Sequence, residues 1–167
     1  MDNLTRRTVS VISVAVPFLG LTRALKAEEK APVNDKDTDW GSITEKEWKA
    51  RLTPEEFRVL RKEGTERPGS SPLDREKREG TYVCAGCGLP LFASEMKYNS
   101  GTGWPSFFDV LPDAVETKTD FKLIYPRTEY HCRRCGGHQG HVFKDGPKPT
   151  GLRYCNNGVA LKFDPKP

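Results

Sequence analysis

The sequence lacks a long apolar segment and has little net charge beyond its N-terminus. The apolar run at residues 9–21 has 13 residues, well short of the roughly 20 that a membrane-spanning helix needs. Four basic residues and one acidic residue in residues 1–27 carry +3 of the total +4, which leaves +1 for residues 28–167. A body this close to neutral lacks the electrostatic footprint of a nucleic-acid-binding protein. We therefore expect neither stable membrane insertion nor a nucleic-acid partner.

The N-terminal segment has the pattern of a signal peptide. Arg6 and Arg7 precede the apolar run, and Ala27 follows it as a possible cleavage site. Paired arginines in this position are similar to those of a twin-arginine signal. Residues 1–27 therefore predict export to the periplasm. An uncleaved N-terminal anchor, an organelle presequence and a cytoplasmic location are the alternatives.

Composition indicates one turn-rich globular domain after this segment. A chain of 167 residues is long enough for a single sizeable core. The 15 glycines and 13 prolines argue against a fold dominated by long helices. Residues 28–39 are charged and contain proline, which predicts a solvated linker. The folded domain is predicted over residues 40–165.

Local patterns predict a mainly β domain that begins with two short helices. Ser42 with Glu45, and Thr53 with Glu56, place a hydroxyl three residues before a glutamate, which marks the start of a helix. Short β-like segments separated by Gly, Pro, Asn or Asp follow. These segments include residues 80–84, 121–125, 141–144 and 159–163. We expect a small assembly of antiparallel sheets after the helices.

Four of the five cysteines form two matched motifs. Cys84 with Cys87, and Cys132 with Cys135, are two Cys-x-x-Cys-Gly segments separated by 44 residues. Two residues between thiolates let one tight turn present both sulfurs to a tetrahedral ion, and the following glycine relieves the strain of the turn. The pattern predicts one structural Zn²⁺ that joins two separate hairpins and has no open position for a substrate. Disulfides, or a pair that acts as a dithiol catalyst, are the alternatives.

The fifth cysteine, Cys155, is either a buried inert thiol or a reactive one. Arg153 lies two residues away, which in a strand is the same face, and a nearby cation lowers the pKa of a thiol. His138 and His141 carry imidazole, the side chain best suited to donate a proton near neutral pH. His131, next to a Cys-x-x-Cys segment, is interpreted as a solvated or core imidazole. The sequence thus places a candidate thiol-based site around Cys155.

An aromatic segment lies in the middle of the chain. Trp104 stands between Gly103 and Pro105 in a predicted loop, where it could wall an apolar pocket. Phe107 and Phe108 are interpreted as core residues, which is the usual location of aromatic side chains.

Taken together, these motifs resemble the methionine-R-sulfoxide reductases of the B type. The resemblance runs from about residue 40 to residue 163. It implies a zinc-stapled β-tent of two antiparallel sheets, with the zinc remote from the chemistry. It also implies reduction of methionine-R-sulfoxide in proteins or peptides, a repair of oxidative damage, through a sulfenic acid on Cys155. The segments that carry it are residues 52–57, 82–84, 97–107, 138–143 and 152–163.

The resemblance implies roles for five further residues. His138 and His141 correspond to the histidines that bind and protonate the sulfoxide oxygen. Trp104 corresponds to the tryptophan that packs against the substrate methyl group. Asn157 and Arg153 correspond to residues that orient the site. The preference for the R epimer rests on the resemblance alone.

One position departs from the family pattern. Many members carry a second, resolving cysteine in the Ser-Gly-x-Gly-Trp-Pro segment, where this sequence has Thr102. If zinc holds the four paired cysteines, no thiol remains to form an internal disulfide with Cys155. We therefore expect a monomeric enzyme with a one-cysteine cycle, in which a thioredoxin-like protein or a small thiol reduces the sulfenic acid.

Two other functions fit part of the sequence. A zinc-stapled binding module accounts for the four paired cysteines but gives no role to Cys155. A thiol-disulfide oxidoreductase would use a Cys-x-x-Cys pair for exchange and bind no metal. The reductase accounts for all of the motifs, so it is the function that we expect.

Overall fold

The computed structural model describes residues 38–121 and 125–167, which form two short helices and two antiparallel sheets. The predicted export signal and all but the end of the predicted linker lie outside these residues. Within them, no helix is long and apolar enough to cross a membrane. The predicted mainly β fold with short N-terminal helices is confirmed.

The helices are α1 (Glu45–Arg51) and α2 (Pro54–Lys62). The start of α2 follows the prediction: the backbone N–H of Glu56 donates to the Thr53 hydroxyl, and that of Thr53 donates to the Glu56 carboxylate. This reciprocal capping satisfies two N–H groups that the helix leaves without partners, which is worth about 1 kcal/mol.

The prediction for the start of α1 is wrong by two residues. The N-cap is Thr44, whose capping partner is Glu47. Ser42 instead lies in the turn before the helix, where its hydroxyl and its backbone N–H both donate to the backbone carbonyl of Asp39. The sequence contains two overlapping Ser/Thr-x-x-Glu patterns here, and the local turn decides between them.

The strands are short and fall into a small sheet and a large sheet. The small sheet has the order β2-β1-β9, and the large sheet has the order β3-β4-β8-β7-β6-β5, with antiparallel pairing in both. In chain order the strands are β1 (Gly80–Cys84), β2 (Pro90–Ala93), β3 (Lys97–Tyr98), β4 (Ser106–Phe107), β5 (Val115–Asp120), β6 (Arg127–Cys132), β7 (His138–Phe143), β8 (Arg153–Asn156) and β9 (Leu161–Pro165).

Several predicted strands differ from the observed ones at their ends. The segment 80–84 is confirmed as β1, whereas 141–144 is part of the longer β7. The segment 159–163 divides into a 3₁₀ turn, Gly158–Ala160, and the beginning of β9. The prediction for 121–125 is wrong at its two described ends, because Phe121 and Tyr125 lie outside strands and are 76% and 80% exposed. The observed neighbour, β5, pairs with β6 alone and is largely polar, so it lacks the apolar pattern of a buried strand.

Aromatic side chains from both sheets pack together in the core. Phe92 of the small sheet stacks on Phe107 of the large sheet with ring centroids 4.0 Å apart, and Tyr82 meets Phe107 edge-on at 5.0 Å. All three are fully buried, and burial of each ring contributes about 2 kcal/mol. The core assignment of Phe107 is confirmed, but Phe108 is only partly buried.

A test of the close packing between β7 and β8 is the substitution Gly140→Ala. The added Cβ would lie 1.9 Å from the backbone carbonyl oxygen of Cys155, where no flexible side chain can move aside. We expect the free energy of unfolding to fall by about 2 kcal/mol or more, measured by urea denaturation. The control is Gly41→Ala, whose Cβ meets Asp39 Oδ1 at an ordinary 3.4 Å. That control should change the stability by less than about 0.5 kcal/mol; equal stability of the two variants would contradict the packing.

Candidate functional site

Four cysteine sulfurs meet where the two sheets adjoin. Cys84 ends β1 and Cys132 ends β6, and each is followed by a turn that carries the second cysteine of its motif. The Sγ atoms of Cys84 and Cys135 are 3.7 Å apart, those of Cys87 and Cys132 are 3.5 Å apart, and all four lie within 4.8 Å of one another. Zinc–sulfur bonds of about 2.3 Å in a tetrahedron place the sulfurs about 3.8 Å apart. The donor set therefore fits a single tetrahedral ion.

Glycine closes both turns, as the sequence predicts. The backbone N–H groups of Gly88 and Gly136 donate to the carbonyl oxygens of Cys84 and Cys132, each at 2.8 Å. Both glycines have a positive φ, 71° and 67°, a conformation that other residues rarely adopt. These turns point both sulfurs of each motif toward the same centre.

The arrangement of the sulfurs disfavours the two redox alternatives. The five cysteines are free thiols, and the shortest contacts, Cys84 with Cys135 and Cys87 with Cys132, join different motifs. All four sulfurs are buried, and the Gln139 amide donates to Cys84 Sγ at 3.4 Å. A Cys-x-x-Cys exchange catalyst needs an accessible thiol instead. The cluster is consistent with a structural metal site.

A row of cross-strand neighbours places Cys155 in the middle of the large sheet. Cys155 on β8 lies opposite Ser106 on β4 and His141 on β7. The row continues to Tyr98 on β3 and to Glu129 on β6. Directly opposite residues of antiparallel strands share a face, with Cβ atoms about 5 Å apart. The thiol is therefore flanked by a hydroxyl group and an imidazole.

A β-bulge brings the two histidines of β7 together. His138 and His141 are three residues apart, which in a regular strand means opposite faces. The register between β6 and β7 shifts at this point, so that Gln139 is an extra residue on β7. A bulge of this kind re-aims the side chains beside it. The two imidazole rings consequently lie 5.6 Å apart, edge to face.

An open cavity of about 310 Å³ lies over the Cys155 thiol. Of the six residues predicted for the active site, His138 does not line this cavity; it is 2% exposed. Sequence reasoning missed Thr102 and Arg127 as cavity residues, although both line it. The predicted residues in the wall are Cys155, His141, Arg153, Asn157 and Trp104. His131 lies outside the cavity, with its Nε2 3.5 Å from a Glu116 oxygen.

Each histidine of β7 has a carboxylate partner that carries no sequence motif. His138 Nδ1 lies 2.7 Å from Glu129 Oε1, and His141 Nε2 lies 2.7 Å from Asp120 Oδ2. Asp120 Oδ2 also accepts a hydrogen bond from the Arg127 guanidinium at 2.7 Å. Both carboxylates are buried, 3% and 6% exposed. Each can fix the orientation of its imidazole ring.

Burial dominates the protonation of the central groups. It lowers the pKa of His138, although the hydrogen bond that His138 donates to Glu129 acts in the opposite direction. Burial also raises the pKa of Cys155, whereas Arg153 and the Thr102 hydroxyl lower it less strongly. Arg153 lowers the pKa of Cys155, as the sequence predicts. Its guanidinium is also bound by both oxygens of Asp145, at 2.9 and 2.8 Å. Cys155 is therefore mainly a neutral thiol near pH 7.

Glu66 fixes two walls of the cavity through its backbone. Its N–H donates to Asn157 Oδ1 at 3.0 Å, and its carbonyl accepts from the Trp104 indole N–H at 3.2 Å. The Asn157 amide nitrogen donates to the Gln139 carbonyl at 2.9 Å. The Glu66 carboxylate accepts two backbone N–H groups from the region of the 3₁₀ turn Gly158–Ala160. The loop of Glu66 thus holds both Trp104 and Asn157 in place.

Comparisons with known proteins cover most of the chain. Residues 52–165 match the model of the SelR domain family. The chain is 55% identical over 121 residues to the peptide methionine sulfoxide reductase MsrB of Methanosarcina barkeri, covering 72% of this chain and 85% of that protein. It is 42% identical over 154 residues to the chloroplastic peptide methionine sulfoxide reductase B1 of Arabidopsis thaliana, covering 92% of this chain and 76% of that protein. Among solved structures, the Mis18 Yippee-like domain is similar with a TM-score of 0.43 and 16% identity, covering 54% of this chain and 99% of that one.

The metal centre can be tested by the substitution Cys135→Ser. Loss of one thiolate should release the bound metal, and the lost binding energy should lower Tm by about 10 °C or more. Metal content is measured by plasma mass spectrometry and Tm by circular dichroism. The matched control is Cys155→Ser, which should keep one metal ion per chain and an unchanged Tm. A Cys135→Ser protein that keeps its metal and its Tm would refute the structural role.

Proposed function

The chain belongs to the SelR domain family, and from this premise we propose that it reduces methionine-R-sulfoxide residues in proteins or peptides to methionine. Peptide methionine sulfoxide reductase is the activity that the names of its relatives carry. The observation that supports the proposal best is the single cavity lined by Cys155, by its cross-strand neighbour His141 and by Trp104. Neither a binding module nor a dithiol exchange protein requires this grouping.

Cys155 is the proposed attacking group. Its sulfur attacks the sulfoxide, the S–O bond of the substrate breaks and an S–O bond to Cys155 forms. The thiol and the sulfoxide thus become a Cys155 sulfenic acid and methionine, so the cysteine is oxidised and the substrate is reduced. Because burial raises the pKa of Cys155, the thiol proton must leave during the attack, and the sulfoxide oxygen must gain one. Proton transfer between these atoms is therefore part of the reaction.

His141 is the group best placed for that transfer, since it lies opposite Cys155 and lines the cavity. Asp120 holds the ring through Nε2, which leaves Nδ1 as the nitrogen that can exchange a proton. His138 lies behind the cavity wall, so we assign it a supporting role. Its ring packs against His141 and is itself held by Glu129.

The remaining predicted residues shape the cavity. We assign the Trp104 indole to the substrate methyl group, because an aromatic wall favours an apolar group. Arg153 lines the cavity, but its guanidinium is bound to Asp145. We therefore assign it the role of orienting the site. Both ends of the Asn157 amide bond to backbone groups, so this residue orients the site by fixing the adjacent loops.

One Zn²⁺ is the proposed occupant of the four-cysteine cluster. The four-sulfur tetrahedral geometry suits Zn²⁺, and a site with four protein ligands has no position for a substrate. When bound, the ion would supply folding energy and join β1 of the small sheet to β6 of the large sheet.

We propose that an external thiol restores the enzyme. The thiol attacks the sulfenic sulfur and forms a mixed disulfide with Cys155, and water leaves. A second thiol then releases the reduced Cys155 and carries away the disulfide. Thr102 stands in the cavity where an internal thiol would be needed, and the other cysteines are buried in the metal cluster. A thioredoxin-like protein or a small thiol would serve as the reductant.

From the N-terminal residues we also propose a cellular location. The arginine pair and the apolar run favour export of a monomeric enzyme to the periplasm, with cleavage near Ala27 and a linker before the domain at residues 40–165. Folded export would allow metal binding before translocation. The exported enzyme would repair oxidised methionine in that compartment.

The catalytic assignment is tested by Cys155→Ser. We expect reduction of a peptide containing methionine-R-sulfoxide to fall by at least about 1,000-fold, because serine lacks the nucleophilic sulfur. Product is measured by chromatography with dithiothreitol as the reductant, and the S epimer serves as the negative substrate. Bound metal and the circular dichroism spectrum are the folding controls. Residual turnover at the wild-type rate would rule out Cys155 as the nucleophile.

The one-cysteine cycle predicts a single product on the protein after one turnover. With one equivalent of substrate, no reductant and dimedone present, we expect a dimedone adduct on Cys155 alone, detected by peptide mass spectrometry. Protein without substrate should show no adduct. A disulfide between Cys155 and another cysteine would exclude this cycle.

A further inference from the structure

Three hydroxyl groups form a hydrogen-bonded chain beside Cys155. Ser100 Oγ lies 2.8 Å from Thr102 Oγ1 and 2.7 Å from Ser106 Oγ. Ser106, which is fully buried, donates its hydroxyl proton to the backbone carbonyl of Trp104 at 3.0 Å. We call Thr102, Ser100 and Ser106 the hydroxyl chain.

The hydroxyl chain approaches the Cys155 sulfur at one end. Thr102 lines the same cavity as Cys155, and its hydroxyl is one of the groups that lower the pKa of the thiol against the effect of burial. Ser106 is the cross-strand neighbour of Cys155 on β4. The other end is the carbonyl of Trp104, the residue assigned to the wall of the cavity. The hydroxyl chain therefore connects the sulfur to the backbone of that wall.

A count of protons fixes the direction of these hydrogen bonds. Each hydroxyl has one proton to donate. When Ser106 donates to the Trp104 carbonyl, Ser100 must donate to Ser106, and Thr102 must donate to Ser100. Thr102 then has no proton for the sulfur and can only accept the S–H of Cys155. This direction suits the neutral thiol.

The direction must change when the thiol loses its proton. A thiolate can only accept, so Thr102 must turn its proton toward the sulfur. Ser100 then donates to Thr102, Ser106 donates to Ser100, and the Trp104 carbonyl loses its donor. Only the three hydroxyl protons rotate. A hydrogen bond to a charged acceptor is stronger than a neutral one, and aligned hydrogen bonds polarise one another, which offsets the lost bond at the carbonyl.

We propose that the hydroxyl chain reverses its hydrogen-bond direction when Cys155 ionises and so stabilises the thiolate. The proposal rests on the assigned role of Cys155 as the attacking thiol, and it makes Thr102, Ser100 and Ser106 positioning residues. Arg153, whose charge also favours the thiolate, is held by Asp145. The hydroxyl chain is the part of the surroundings that adapts to the change of charge.

The test measures the pKa of Cys155 without turnover. The rate of iodoacetamide alkylation is followed against pH in the full-length, metal-loaded protein, and mass spectrometry assigns the adduct to Cys155. Thr102→Val keeps the shape but removes the hydroxyl. It should raise the midpoint by about one pH unit, a tenfold loss of thiolate at fixed pH. Thr102→Ser keeps the hydroxyl and should stay within about 0.3 unit of the wild type.

Two further variants separate the hydroxyl chain from a single hydrogen bond. Ser106→Ala removes the hydroxyl farthest along the hydroxyl chain and should still raise the midpoint, by about half a unit. Thr65→Val removes a cavity hydroxyl outside the hydroxyl chain and should leave the midpoint unchanged. Thermal melts confirm that each variant is folded.

The alkylation midpoints test the hydroxyl chain, and they do so independently of the catalytic role of Cys155. No shift in Thr102→Val, or a shift there without one in Ser106→Ala, would overturn the hydroxyl chain. A shift of the same size in Thr65→Val would overturn it as well, because any change in the cavity would then suffice. Turnover by Cys155→Ser would instead remove the proposed catalytic role of Cys155, while the midpoints would still report on the hydrogen bonds.

Discussion

The meeting of four buried cysteine sulfurs is the constraint on which the rest of the structure depends. It joins the end of β1 in the small sheet to the end of β6 in the large sheet, at contacts of 3.5 and 3.7 Å between different motifs. β6 also carries Glu129, the carboxylate that holds His138. One strand, β6, thus carries both a cysteine that joins the sheets and a carboxylate that supports the proposed active site. A bound ion would stabilise both at once.

Strand register then brings the chemistry together. Cys155 gains its neighbours Ser106 and His141 because β8 lies between β4 and β7, and the bulge at Gln139 turns both histidines of β7 toward each other. On the other face of the large sheet, Phe107 is buried in the aromatic stack between the two sheets. Because Cys155 and His141 stand on strands that are hydrogen-bonded to neighbours on both sides, the spacing of these proposed reacting groups is set before a substrate enters.

Local sequence patterns were enough to predict much of the fold and several residues of the proposed site. The two Cys-x-x-Cys-Gly turns, the cap of α2, and the position of Arg153 beside Cys155 all depend on residues within four positions of one another. Asp120 and Glu129 could not be found in this way, since only pairing among β5, β6 and β7 brings them to the histidines. The buried position of His138 and the bond between Arg153 and Asp145 likewise depend on tertiary packing. Competition between neighbouring patterns explains the misplaced start of α1, because Ser42 belongs to the turn at Asp39 and Thr44 caps the helix.

The presence of threonine at position 102 also bears on how long each molecule stays active. A sulfenic acid beside a second thiol is trapped as a disulfide and thereby protected. A sulfenic acid beside a hydroxyl group stays unprotected until an external thiol reduces it. A further equivalent of hydrogen peroxide would convert it to a sulfinic acid and water, a step that ordinary thiols do not reverse. The working lifetime of such an enzyme is therefore set by the ratio of reducing thiols to peroxide in its surroundings.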